Sequence, residues 1–108
     1  MIAETNAKRL RLEALMAYPP TARCREILAL LKTIATEYSD QIRLDVYHAG
    51  ESPYVTPTRG YQAQDKRKTV PSAYINGRVI ICGSIRAIEA LREEVEAELK
   101  RGPAEWQD

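Results

Sequence analysis

The sequence has a single histidine, only two cysteines and almost no net charge, and these three shortages exclude several classes of protein; it also has no phenylalanine. Two cysteines cannot build the disulfide framework of a small secreted domain, and together with one histidine they lack the spacing of a zinc site. A net charge of +1 gives no bulk attraction to nucleic acid or to an anionic membrane. No apolar run approaches the length of a membrane span, and residues 1–7 lack the apolar core of a signal peptide. We therefore expect a cytoplasmic protein with reduced thiols, without metal or cofactor, that binds neither nucleic acid nor membrane.

The remaining composition is that of one small folded domain. The chain has 108 residues, of which 44% are hydrophobic and 29% are charged. Residues 1–7 form a polar leader in this interpretation, and residues 8–101 carry the regular hydrophobic patterns. Gly102-Pro103 is a helix stop signal, so residues 102–108 are predicted to be a C-terminal tail in which Trp106 folds back on the surface.

The first half of the chain predicts a strand–helix–strand unit. Residues 8–18 alternate between apolar and polar, and their last part is apolar on both faces, which is typical of a central strand. Thr21 is a favourable N-cap for a helix that runs with apolar residues at helical spacing to about residue 38. Residues 42–47 alternate again, and a strand joined through such a helix pairs in parallel with the first.

The second half predicts a hairpin and a closing helix. Residues 48–68 are a polar segment with a short helix near 57–64, and strands are expected at 70–75 and 79–82. Asn76-Gly77 between these strands is a favoured two-residue hairpin turn, and Ser84 is the expected cap of the last helix. The fold class is therefore α/β, in the order β-α-β-β-β-α, with a four-stranded mixed sheet and helices on both faces.

Three segments in this order resemble the thioredoxin superfamily over residues 8–101. The strand–turn–helix at residues 15–25 is similar to the family's active-site segment, and Thr69-Val70-Pro71-Ser72 resembles its cis-proline signature. Asn76-Gly77 followed by Cys82-Gly83-Ser84 matches the hairpin turn and the glycine that ends the fourth strand. The resemblance implies a thioredoxin-like fold with a cis peptide bond before Pro71.

The resemblance also assigns roles to particular residues. Cys24 falls on the family's second, resolving cysteine, whereas Thr21 falls on the first, nucleophilic one. The substrate groove would be formed by Val70, Pro71, Cys82 and Gly83. Because a hydroxyl replaces the attacking sulfur, Thr-x-x-Cys implies that dithiol exchange is lost. A threonine three residues before a cysteine also resembles the peroxide-reacting site of peroxiredoxins, although Ala17 stands where that motif has a proline.

Two functions therefore remain open. In the first, the protein is an atypical monothiol redox protein in which Thr21 orients a reactive Cys24, with protein thiols or a glutathione-like thiol as partners. The position of Cys24 in the first turn of a helix favours this reactivity. In the second, the domain is redox-inactive and binds a peptide or protein partner in the cis-proline groove. The apolar stripe that contains Cys24 favours burial and hence binding. Cys82 is either packed in the core or bridged to Cys24.

Overall fold

The computed structural model describes residues 9–63, 70–82 and 86–106, and the side chains in these ranges except those at positions 81, 82 and 86–89. The leader at residues 1–7, the basic cluster at 66–68, and Gly83 and Ser84 lie outside the described residues. The elements, in chain order, are β1 (Leu10–Met16), α1 (Ala22–Glu37), β2 (Ile42–His48), α2 (Arg59–Gln62), β3 (Ser72–Ile75), β4 (Arg78–Cys82), α3 (Arg86–Arg101) and a 3₁₀ turn (Pro103–Glu105).

The four strands form one mixed sheet in the order β2-β1-β3-β4. β1 pairs in parallel with β2, and β3 pairs antiparallel with both β1 and β4. Every residue of β1 is buried, which confirms the prediction of a central strand covered on both faces. β3 begins at Ser72 rather than at Val70, since Pro71 has no N–H to donate to the ladder. The α/β class and the four-stranded mixed sheet are confirmed.

The main core lies between one face of the sheet and the two long helices. The even-numbered side chains of β1 pack there against a stripe of α1 at helical spacing, formed by Cys24, Ile27, Leu31 and Ile34. Leu91 and Val95 bring α3 to the same face. Trp106 joins this core, and its indole N–H donates to the carbonyl oxygen of Glu98 at 3.2 Å. The tail thus folds back as predicted, but its tryptophan is buried rather than lying on the surface.

The other face of the sheet is covered by residues 49–63, which we call the strap. The strap includes α2, so helices lie on both faces as predicted. Tyr61 of α2 packs there with Leu15, Tyr47 and Tyr74 in a second, smaller cluster. These three tyrosines are buried, since Tyr47, Tyr61 and Tyr74 are 3%, 7% and 2% exposed.

Two turns hold the elements in place. The side chain of Thr21 caps α1 by accepting a hydrogen bond from the N–H of Cys24 at 3.1 Å, as predicted. Asn76 and Gly77 both have positive φ, at 52° and 77°, which confirms the two-residue hairpin turn. Gly60 of the strap lies directly against the backbone of Gly77, so close that a Cβ at residue 60 would collide with it.

None of the helices in the described ranges is long and apolar enough to cross a membrane.

Candidate functional site

The predicted site lies at one edge of the sheet. The register pairs Met16 with His48 and Leu15 with Ser72, and Ser72 in turn pairs with Cys82. The ends of β1, β2 and β4 and the start of β3 therefore meet at this edge. α1 begins there as well, a few residues after the end of β1. The carboxyl ends of parallel strands are the usual ligand-binding edge of open α/β sheets.

The sulfur of Cys24 is sealed beneath the turn between β1 and α1. The residue is 0% exposed, and its thiol is free. The N–H of Ala17 donates a hydrogen bond to the sulfur at 3.4 Å, and the hydroxyl of Thr21 donates another at 3.2 Å. The alternative of a Cys24–Cys82 bridge is therefore not realised in this structure.

These hydrogen bonds set the acidity of the thiol. Burial by itself raises the pKa of Cys24, since a thiolate loses its hydration there. The hydrogen bond from the Thr21 hydroxyl and those from the backbone N–H groups of Ala17, Thr21 and Cys24 act in the opposite direction. Together they outweigh burial, so the pKa of Cys24 lies below its ordinary value of 9.0. The sulfur is thus both inaccessible and easier to ionise than an isolated thiol.

The surface above this sulfur is formed by the turn itself. Tyr18, Pro19, Pro20 and Thr21 are all exposed, and Tyr18 shows 70% of its area to solvent. The ring of Tyr18 stands edge-on against His48, with 5.9 Å between ring centroids, and its peptide bond to Pro19 is cis. His48 is thus the last residue of β2 and lies in contact with an exposed aromatic ring.

The predicted groove residues are only partly described. The Val70–Pro71 peptide bond is cis, as predicted. Val70 is half-buried and packs against both hydrophobic clusters, whereas Pro71 is buried. Cys82 ends β4, but its side chain and the whole of Gly83 lie outside the described residues. Of the predicted site, the structure therefore brings together Thr21 and Cys24 in direct contact, with Pro71 at the same sheet edge.

Sequence reasoning missed a buried charged network on the strap-covered face. Glu13 is 0% exposed, although nothing in its strand suggested more than a polar face. Its carboxylate accepts hydrogen bonds from the Tyr47 hydroxyl at 2.7 Å and from the Thr58 N–H at 2.9 Å. The Thr58 hydroxyl donates a further bond at 2.6 Å. The carboxylate is therefore satisfied by one bond from the sheet and two from the strap.

A second carboxylate, that of Asp45, completes the network. Arg11 lies between the two acids, with its Nη2 2.9 Å from Asp45 and 3.6 Å from Glu13, and all three residues are buried. Arg43 pairs with Asp45 from the half-exposed side at 3.1 Å. The two cations balance the two anions, which offsets the cost of removing charge from water. One sequence feature could have predicted this network. Arg11 and Glu13 are two residues apart on one strand, and Glu13 pairs with Asp45 on the neighbouring parallel strand.

The tyrosines beside this network hold their protons tightly. Burial raises the pKa of Tyr61 to about 12, and the nearby Tyr74 and Glu13 add to that effect. Burial also raises the pKa of Tyr47, reinforced by the hydrogen bond that its hydroxyl gives to Glu13. These phenols therefore act as hydrogen-bonding and packing groups at neutral pH.

No family model, curated protein or solved structure matches this chain. Within the described ranges, no group of three His, Cys, Asp or Glu side chains is placed to hold a metal ion. The candidate site is defined by the Thr21–Cys24 contact and the exposed turn that covers it.

Proposed function

We propose that this protein is a thioredoxin-like binding module that has lost dithiol exchange and binds an extended peptide or protein segment beside Pro71. The observation that carries the proposal is the complete burial of the Cys24 sulfur beneath Thr21. The position where a redox relative would present an attacking sulfur carries a threonine hydroxyl instead. A hydroxyl cannot form a mixed disulfide, so what remains at this edge is a recognition surface.

The chemistry of the turn supports recognition of a peptide. An exposed tyrosine presents a large rigid ring with a polar tip, which suits binding at a partly wet interface. Tyr18 is such a residue, and its contact with His48 holds the ring at the sheet edge. The two prolines that follow it restrict the backbone, so the surface loses little conformational freedom when a partner binds.

A second candidate function rests on the lowered pKa of Cys24. A thiolate at this position would attack the terminal oxygen of a small peroxide ROOH, forming the S–O bond as the O–O bond breaks, and the departing RO⁻ takes up a proton from water to become ROH. The sulfur is oxidised by two electrons to sulfenic acid, and the peroxide is reduced. A glutathione-like thiol would then displace water to give a mixed disulfide with Cys24. Because the sulfur is buried, this route requires a small oxidant or opening of the turn.

The binding function is tested with a displayed library of unstructured peptides selected on the full chain. We expect enriched peptides whose binding is weakened at least about tenfold by Tyr18→Ala, since exposed aromatic anchors dominate such interfaces. Val79→Ala is the matched control, because Val79 is an exposed apolar residue on β4 rather than at the turn. Peptides that bind Tyr18→Ala and the parent chain equally would contradict the proposed surface.

The two candidate functions are separated by Cys24→Ser. A binding module keeps its peptide affinity after this change, because the buried sulfur never touches the partner. In a Cys82→Ser background, monothiol chemistry disappears completely with the same change, as measured by peroxide consumption and by the mass of the oxidised protein.

A further inference from the structure

The strap buries few of its own residues against the sheet, although Gly60 lies close to the backbone of Gly77. Of residues 49–63, only Thr58 and Tyr61 are buried. The apolar contribution of the strap to the cluster beneath it comes from Tyr61 and, in part, from Val55. Segments with so few buried apolar contacts open locally at a lower free energy than the rest of a fold.

Most of the attachment is polar, and it converges on two carboxylates of the sheet. Glu13 accepts both the N–H and the hydroxyl of Thr58, and Asp45 accepts the hydroxyl of Tyr54 at 3.0 Å. Arg11 donates to the carbonyl oxygen of Thr56 at 3.3 Å. Groups of this kind can exchange their protein partners for water when a segment lifts, which lowers the net cost of opening.

We propose that the strap opens and closes as a unit over this face of the sheet, with the carboxylate of Glu13 as its latch. The closed state is the one described above. When the strap opens, Glu13 keeps its hydrogen bond from Tyr47 and remains beside Arg11, so its carboxylate still has a hydrogen-bond donor and a counter-charge. The helices α1 and α3 pack on the opposite face of the sheet, and their core remains intact.

The open state uncovers a surface of a different chemistry from that of the Tyr18 turn. Lifting the strap exposes the rings of Tyr47 and Tyr74 beside Glu13, Asp45 and Arg11. This surface combines aromatic faces with paired charges of both signs. The strap therefore acts as a lid that controls access to an aromatic and charged face of the sheet.

The test is residue-resolved amide hydrogen exchange, measured by NMR on the full chain. The reporters in the strap are the N–H groups of Thr58, Gln62 and Ala63, which bond to Glu13, Thr58 and Arg59 respectively. We expect them to exchange at least about tenfold faster than the buried amides of β1 and α1. Thr58→Val should speed the exchange at residues 62 and 63 by a further factor of about ten, because it removes the hydroxyl that donates to Glu13 and that also caps α2.

Three further variants make the result decisive. Thr56→Val is the matched control and should leave strap exchange unchanged, since residue 56 contributes its carbonyl oxygen to the network. Leu91→Ala weakens the main core and should speed core exchange while leaving strap exchange unchanged. Glu13→Gln preserves the size of the latch but removes its charge, and should speed strap exchange as Thr58→Val does.

Two outcomes would overturn the proposal. If strap and core amides exchange at one common rate, and Leu91→Ala speeds both together, the strap is a fixed part of the fold. If Thr58→Val speeds strap exchange but Glu13→Gln does not, then the carboxylate of Glu13 is not the latch.

Discussion

The hydroxyl of Thr21 forms two hydrogen bonds with Cys24, one as a donor and one as an acceptor. The hydroxyl donates to the sulfur at 3.2 Å, and the same oxygen accepts the N–H of Cys24 at 3.1 Å. One oxygen therefore caps α1 and stabilises a thiolate three residues away. A single substitution at residue 21 is expected to change helix stability and thiol acidity together.

Replacing Thr21 with valine removes the hydroxyl while keeping nearly the same side-chain shape. Thr21→Val is expected to raise the pKa of Cys24, because it removes the strongest of the lowering hydrogen bonds. It should also reduce the free energy of unfolding by about 1 kcal/mol through loss of the cap. The thiolate absorbance as a function of pH, measured in a Cys82→Ser background, reports the first effect. Thr21→Ser retains the hydroxyl and should restore both properties; a pKa that stays low in Thr21→Val would contradict this assignment.

The lowered pKa of Cys24 also predicts how stability depends on pH. The unfolded chain keeps the thiol proton up to about the ordinary value of 9.0, whereas the folded protein releases it at lower pH. The free energy of unfolding should therefore rise with pH between the lowered pKa and 9.0, and this gain is lost as pH falls through the folded value. Denaturant titrations across this window provide the measurement. In Cys24→Ser the rise should be absent.

Dithiol exchange should be absent from the natural sequence and recoverable by one change. An insulin-type disulfide reduction assay is expected to show background rates, because one local sulfur cannot both attack and resolve. Thr21→Cys restores a Cys-x-x-Cys spacing at the helix start and should produce an internal bridge to Cys24 together with measurable reductase activity. Adding Cys24→Ala to this variant should abolish both. If the cysteine introduced by Thr21→Cys bridges only between molecules, the thioredoxin-like geometry of the turn is refuted.

The buried phenols predict a loss of stability at high pH. The pKa of Tyr61 is raised from 10.0 to about 12, so its contribution is fully present below pH 10 and is lost as pH rises through 12. A shift of this size corresponds to about 3 kcal/mol. Tyrosinate absorbance and denaturant unfolding should follow each other over this range. Tyr61→Phe should make the free energy of unfolding less dependent on pH between 10 and 12. If that dependence is unchanged in Tyr61→Phe, other groups control it.

Because Gly60 lies so close to Gly77, we expect Gly60→Ala to lower the free energy of unfolding, although helix propensity alone would predict an increase. Alanine is the better helix former, so Gly60→Ala would stabilise an isolated helix by about 1 kcal/mol. Here a Cβ would meet backbone atoms of Gly77, which cannot rotate away. We expect a net loss of about 1–3 kcal/mol in the free energy of unfolding. Arg59→Ala, at an exposed position of the same helix, should change stability much less. A Gly60→Ala protein more stable than the parent would contradict the close contact.

The hydrophobic pattern of the sequence predicts most of the fold, but not its polar interior. Alternation in β1 and helical spacing in α1 were sufficient to place the central strand and to put Cys24 on the buried stripe. Alternation also places Arg11 and Glu13 on one face of the sheet, but it does not predict whether that face is exposed to solvent or covered by another segment. The partner that buries Glu13 is Thr58, 45 residues away in a polar segment. The hydrogen bonds between Glu13 and Thr58 can be recognised only from the structure, in which the strap crosses the sheet.

The position of Trp106 gives the protein an internal optical probe. It is the single tryptophan of the chain, and it is held in the helix-covered core by the carbonyl oxygen of Glu98. Its emission therefore reports the integrity of that core, whereas tyrosine signals come mainly from the opposite face. A fluorescence titration read at both residue types distinguishes lifting of the strap from complete unfolding without any label.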